Sequence, residues 1–323
     1  MSALAPETHA AHGLAALLRV PWLRLAAAFL AVYLIWGSTY LAIRFAIESL
    51  PPFFMAGARN SIAGALLFAW TCLRGAPRPR LIHWREAAIV GGLMLFCGNG
   101  AVTWAEQKIP SGTVALMVAT IPLWMVLPGM LRRGGTKPGL CTVAGVALGL
   151  AGVWLLAGTG RQIGGEPLDL FGVAVVLFAA LSWSAGSLYS RRARLPVDPI
   201  QGIGMEMLAG GALLLLAAAI RGEWAQVEMD SISLRSGLSF LYLVVFGSMV
   251  AFTAYLWLLR HTTPARAATY AYVNPIVAVL LGWALAGEPL TAQTLLSAAV
   301  IVAGVAIITT ASSPGGHSPT QDR

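Results

Sequence analysis

Pro52–Leu73, PFFMAGARNSIAGALLFAWTCL, and Asp198–Ile220, DPIQGIGMEMLAGGALLLLAAAI, decide the fold when they are set side by side. Each is long enough to cross a bilayer, whose hydrocarbon core takes about 20 mainly apolar residues in helical form. At an offset of 147, Pro52 meets Pro199, Gly57 meets Gly204, and Gly64-Ala65-Leu66-Leu67 meets Gly211-Ala212-Leu213-Leu214. The same offset sets Trp36 against Trp183. Further along, an offset of 153 pairs Pro122 with Pro275 and Gly129 with Gly282, and 152 pairs Ala151-Gly152-Val153 with Ala303-Gly304-Val305. Chance inflates Ala, Leu and Gly matches in so apolar a chain, but it does not readily supply the Trp and Pro matches.

Working outward, eight more apolar windows flank this pair: Leu25–Ile47, Glu86–Ala105, Ser111–Leu131, Gly139–Ala157, Leu170–Ser190, Leu234–Leu259, Pro264–Ala286 and Leu290–Thr310. The expected fold is an all-α polytopic membrane protein with ten transmembrane helices. Five spans per half is an odd number, so the second half starts on the opposite side. The halves then form a 5+5 inverted repeat about an axis in the membrane plane. The expected units are an N-terminal tail, 1–24; a first repeat, 25–158; a second repeat, 170–311; and a polar C-terminal tail, 312–323.

Composition agrees. Hydrophobic residues make up 58% and charged residues 11%, against roughly 25% charged in a soluble domain. The apolar run from Leu25 to Tyr40 exceeds the 7–15 residues of a signal-peptide core, so it reads as a retained first span. Cys72, Cys97 and Cys141 lie in or at the ends of spans, which implies no disulfide framework.

The net charge of +8 invites a nucleic-acid reading, which its distribution rejects. With a cytoplasmic N-terminus, fifteen Lys and Arg fall in inner segments and only Lys108, Arg161, Arg221 and Arg235 in outer ones; Arg44 and Arg59 lie within spans. That asymmetry is the positive-inside bias of a multi-pass protein. Acidic residues, Glu48, Glu166, Asp169, Glu223, Glu228, Asp230 and Glu288, gather on the outer side. No HExxH, GxSxG or Walker A sequence is present, and no bound metal is expected.

Several motifs resemble the EamA family of the drug/metabolite transporter superfamily. They are Trp36-Gly37-Ser38-Thr39-Tyr40 followed by Pro51 to Arg59, Gly98-Asn99-Gly100 running to Pro110-Ser111-Gly112, and Tyr270 to Pro275 running to Gly287-Glu288-Pro289-Leu290. Within that family the chain is most similar to a group of bacterial inner-membrane exporters. The resemblance covers nearly the whole chain. It implies ten helices, export of small metabolites, amino acids or drugs, and no cofactor. The alternatives from other classes are a membrane-embedded enzyme and a passive channel.

Polar groups that lipid would not tolerate mark the candidate site. Asn99, Thr103 and Glu106 recur at i, i+4 and i+7, one face of the third span. Such a stripe faces either a water-filled cavity or a neighbouring helix that it hydrogen-bonds. Arg59 and Glu206 are repeat equivalents, and each is either a coupling charge or a structural pair. Trp36 and Tyr40 share a face, Trp183 and Ser187 are their equivalents, and Tyr270 and Asn274 share another. Pro122 and Pro275 interrupt the backbone ladder in mid-span. The expected substrate contacts are therefore Trp36, Tyr40, Asn99, Thr103, Trp183, Ser187, Tyr270 and Asn274, with intramembrane charges Arg59, Glu106 and Glu206. Expected partners are a small-molecule substrate and lipid, not nucleic acid. Gly145 and Gly149 form a GxxxG pair open to two uses, packing within the chain or a homodimer.

The charge asymmetry yields a direct prediction. A reporter active only outside the cytoplasm, fused after Arg323, stays silent; a strong signal would overturn the topology.

Overall fold

The computed structural model describes residues 22–125, 140–158, 169–262, 264–288 and 290–311. Among the described residues the structure is helical and holds no strand. Five helices are long and apolar enough to cross a membrane: α1 (Trp22–Ala46), α3 (Leu81–Ala105), α6 (Leu170–Ser190), α7 (Pro199–Ile220) and α8 (Leu234–His261). α2 (Pro52–Leu73) is as long as α7 but carries buried Arg59, Asn60 and Thr71. α4 (Ser111–Val118), α5 (Leu140–Gly158), α9 (Tyr270–Ala286) and α10 (Ala292–Ala311) complete the set. Both expected tails, 1–21 of the first and 312–323 of the second, lie outside the described residues, as do 126–131 of the fourth window and Gly139 of the fifth.

Proline and glycine punctuate these helices as their backbone limits require. Pro52 and Pro199 open α2 and α7 at the first helical position, where no N–H is needed. Gly222 and Gly287 follow α7 and α9 with φ of 70° and 65°, a left-handed conformation that suits residues lacking a Cβ. The ninth window divides: a short turn at Pro264–Ala267 precedes α9, which itself holds Pro275 inside.

α2 and α7 cross antiparallel with their backbones almost in contact. A Cβ on Gly64 would sit 2.8 Å from the Gly204 carbonyl oxygen, one on Gly204 2.9 Å from Phe68 N, one on Gly57 2.9 Å from Leu215 N, and one on Gly211 3.1 Å from Gly57 O. α5 and α10 repeat the arrangement: a Cβ on Gly152 would meet Ile301 N at 3.0 Å, and one on Gly304 would meet Gly145 O at 2.8 Å. The GxxxG pair is thus used inside the chain, against α10. Small residues allow this closeness, and helices in lipid associate largely through such packing.

The helix ends are tied by charge. Glu288 accepts from Ser111 N (2.8 Å), Ser111 Oγ (2.6 Å) and Gly112 N (3.0 Å), capping α4 from the far end of α9. Glu223 accepts from Phe54 N at 2.9 Å and caps α2. Carboxylates at helix N-termini satisfy orphan N–H groups and complement the dipole. Glu48 pairs with Arg235 at 2.5 Å, and Asp169 with Lys108 at 3.2 Å. The neighbouring lysine holds the Asp169 carboxyl below the usual carboxylate range. These contacts gather the C-terminal ends of α1, α3, α7 and α9 with the N-terminal ends of α2, α4, α6 and α8 on one face. On the other, Tyr189 donates to Glu86 at 2.6 Å, and Gln201 to the Pro77 carbonyl at 3.1 Å.

Gly91 and Gly92 test this packing as a pair. A Cβ on Gly91 would strike the Glu206 carbonyl oxygen, whereas one on Gly92 would meet only Leu213 Cδ1 at 3.5 Å. Gly91→Ala should cost about 1–3 kcal/mol through overpacking, read as a lower unfolding temperature in detergent. Gly92→Ala should leave that temperature unchanged or raise it. Equal tolerance at both positions would show that α3 and α7 do not meet there.

Candidate functional site

A cavity of about 80 Å³ lies among α1, α2, α3, α4, α6, α8 and α9. Three of these helices carry π-helical segments: Val32–Trp36 in α1, Gly92–Gly100 in α3 and Leu243–Ala251 in α8. Such segments widen a helix and are frequent at functional sites. Here Trp36, Gly98, Asn99, Gly247 and Ser248 all come from π-helical residues and all line the cavity.

Trp36 is the hub of an aromatic cluster. Its ring lies 5.4 Å from Trp183 and 5.3 Å from Tyr270, both edge-on, and 4.9 Å from Tyr255. Edge-to-face contacts at these distances are the favoured arrangement for aromatic pairs. Trp36 Nε1 donates to the Gly247 carbonyl at 3.2 Å, fixing the ring against the π segment of α8. Tyr255 completes the cluster at 5.5 Å from Tyr270, and its hydroxyl shares a 2.9 Å bond with Ser187. Trp183 Nε1 and the Tyr270 hydroxyl are buried in this cluster, where both act on the Tyr255 hydroxyl. Gly98 makes room for this cluster, since a Cβ there would stand 3.1 Å from the Trp183 ring.

Polar groups line the cavity beyond the cluster. Arg59, 5% exposed, donates from a terminal nitrogen to Asn99 Oδ1, and its Nε has no partner. Asn60 donates to the Ala56 carbonyl at 2.8 Å, and Ser248 donates to Asn60 Oδ1 at 3.3 Å.

Of the residues singled out from sequence, Trp36, Tyr40, Arg59, Asn99, Trp183 and Tyr270 meet at this cavity. The others lie beside it. Thr103 is fully buried and returns its hydroxyl to the Asn99 carbonyl at 2.9 Å, a bond within its own helix. Ser187 is held by Trp183 O and Tyr255. With its side-chain amide assigned so that nitrogen faces the neighbouring acceptors, Asn274 donates to the Tyr33 and Tyr270 carbonyls at 3.0 and 3.2 Å and bridges α9 to α1. Glu106 is fully buried, with neither carboxylate oxygen hydrogen-bonded, in the field of Arg44, Arg59 and Glu288. Glu206 is equally buried and unbonded, against the α3 backbone at Gly91, with Arg260 the opposite charge that acts on it. Arg44 reaches back to donate to the Glu106 carbonyl at 2.5 Å.

Thr39, Asn60, Ser248 and Tyr255 were not singled out, yet they line the cavity or complete its aromatic wall. Asn60 had a signal, being the second polar residue in succession within an apolar span. Ser248 and Tyr255 had none, because the π segment of α8 decides which way they point.

The EamA-like transporter family profile matches this chain twice, over residues 23–158 and 170–310. The inner membrane transporter YedA of Escherichia coli K12 is 44% identical over 284 residues, covering 87% of this chain and 89% of its own. The transporter YoaV of Bacillus subtilis is 25% identical, covering 85% and 93%. A crystal structure with 24% identity superposes with a TM-score of 0.62 over 88% of this chain and 96% of its own, a likeness of fold alone. The chain therefore belongs to the EamA-like transporter family and is a membrane transporter.

Proposed function

We propose that the chain is a secondary transporter of a bacterial inner membrane, with both termini cytoplasmic. It exports small metabolites, amino acids or drug-like compounds by alternating access. Its architecture in this reading is ten spans in a 5+5 inverted repeat, with units 25–158 and 170–311 between the tails 1–24 and 312–323.

The observation that carries the reading is the meeting of Trp36 and Trp183 at the cavity. They are repeat equivalents, and residues related by a two-fold axis touch each other only close to that axis. Inverted-repeat transporters bind substrate at the interface of their repeats, near the midplane. The crossing of α2 and α7 supports the same axis. Exchanging each residue for its equivalent turns the Gly64–Gly204 contact into Gly211–Gly57, and Gly57–Leu215 into Gly204–Phe68; all four contacts occur. α5 and α10 behave alike, with Gly152–Ile301 and Gly304–Gly149 as the exchanged pair. The double match of one family profile, once per half, points the same way.

Proton coupling fits the two buried carboxylates, Glu106 and Glu206, which neither ion-pair nor hydrogen-bond among the described residues. Ionisable groups in a membrane interior are costly and mark ion or proton paths. Outside the cavity wall, Glu206 would act as a proton site rather than as a substrate contact.

Counterflow in vesicles distinguishes the three classes. A transporter exchanges labelled amino acid or cationic drug against a preloaded pool with saturation. A channel shows no trans-stimulation, and an enzyme changes the compound chemically. Glu206→Gln keeps the shape and removes the charge. It should reach normal membrane levels with at least about tenfold lower gradient-driven flux, on the scale of one lost charged contact. Parental flux in that variant at every pH would exclude Glu206 as the coupling site.

A further inference from the structure

We propose that the transported solute carries a carboxylate and that Arg59 binds it. The inference rests on the cavity being the transported solute's site. Among the described residues, Arg59 is the only charged one that lines this cavity, and no acidic side chain joins it there. Arg59 is 5% exposed and lies within a membrane-length helix, next to the polar Asn60. Among the described residues it forms no ion pair, and its one side-chain acceptor is the neutral Asn99 amide. A buried cation without a counter-ion is a poor contribution to folding, because the desolvation cost is not repaid. The arrangement is explained if the compensating charge arrives with the ligand.

The unused donor fits one acceptor group. Among the described residues Arg59 Nε–H has no hydrogen-bond partner. A planar guanidinium presents its N–H groups in a fork that matches a carboxylate, with which it makes short, charge-assisted bonds. The remaining wall is aromatic and aliphatic, suited to a small apolar body attached to that carboxylate. At about 80 Å³ the cavity is smaller than the 150 Å³ kind that holds benzene, so in this conformation the body is compact. Glu106 acts on Arg59 through space but forms no ion pair with it, so the guanidinium's contact position stays open to a bound carboxylate.

The test uses purified full-length protein in liposomes. Counterflow of labelled alanine, lactate and propionate is compared with that of alaninamide, lactamide and propylamine. The acids should compete and exchange, with the compounds lacking a carboxylate about 30-fold weaker or worse, the scale of one truncated buried charge contact. Exchange of amides and amines as good as that of the acids overturns the carboxylate assignment and leaves the transporter reading standing. Absence of counterflow for every compound overturns both. A second readout needs no flux. In detergent, the acids should raise the unfolding temperature of the parent but not of Arg59→Gln, and the ligand-free variant should be at least as stable as the parent. A ligand-free Arg59→Gln protein less stable than the parent, together with no acid-induced shift in the parent, would make Arg59 a structural residue.

Discussion

Two helices can approach until their backbones touch only where neither presents a side chain. α2 and α7 meet that condition at Gly57, Gly64, Gly204 and Gly211, and the rest of the structure depends on it. Lipid is as apolar as leucine, so burying leucine between helices gives little that lipid does not. Close backbone packing supplies what hydrophobicity cannot. It also fixes the rotation of α2 about its axis. With its glycines against α7, α2 turns Arg59 toward α3 and Asn60 toward α8, which is where Asn99 and Ser248 wait.

From that seam the chain of causes runs to the cavity. The π segments of α3 and α8 insert extra backbone at the level of Arg59 and Asn60. Their widened turns leave a void that side chains do not fill, bounded by Gly98 on one wall and Gly247 on another. The aromatic cluster then closes the space with rings that pack edge to face. Native interiors satisfy nearly all buried polar groups. Among the described residues the exceptions include Arg59 Nε at the cavity, the carboxylates of Glu106 and Glu206, Thr253 Oγ1 and Ser297 Oγ.

Much of the helical layout was legible because bilayer length and proline position are strong, local signals. Pro52, Leu73, Leu170, Ser190, Ile220 and Leu234 bound observed helices as they bound the apolar windows. The site was legible only where a residue is intolerable elsewhere: a central Trp, a mid-span Arg, an Asn between glycines. Helical spacing put Thr103 on the face of Asn99, but it could not show that its hydroxyl bonds the i−4 carbonyl of Asn99, as a hydroxyl in mid-helix can. Asn274 was read as a ligand contact; it lies off the cavity wall, with its amide turned toward the Tyr33 and Tyr270 carbonyls, beside the interruption that Pro275 makes. Ser248 was invisible because the 3.6-residue period fails inside a π segment, so no spacing argument could aim it.

The central claim is that the solute passes through the cavity where Trp36 meets Trp183. Single cysteines at Trp36, Asn99 and Trp183, in a background lacking Cys72, Cys97 and Cys141, test it most directly. In folded, transport-active protein each of the three should react with a small aqueous thiol reagent, and added substrate should slow the reaction. A cysteine at Asn274, which lies off the cavity wall, should react slowly and without protection. Protection at Asn274 with none at the other three would place the path elsewhere and contradict the account.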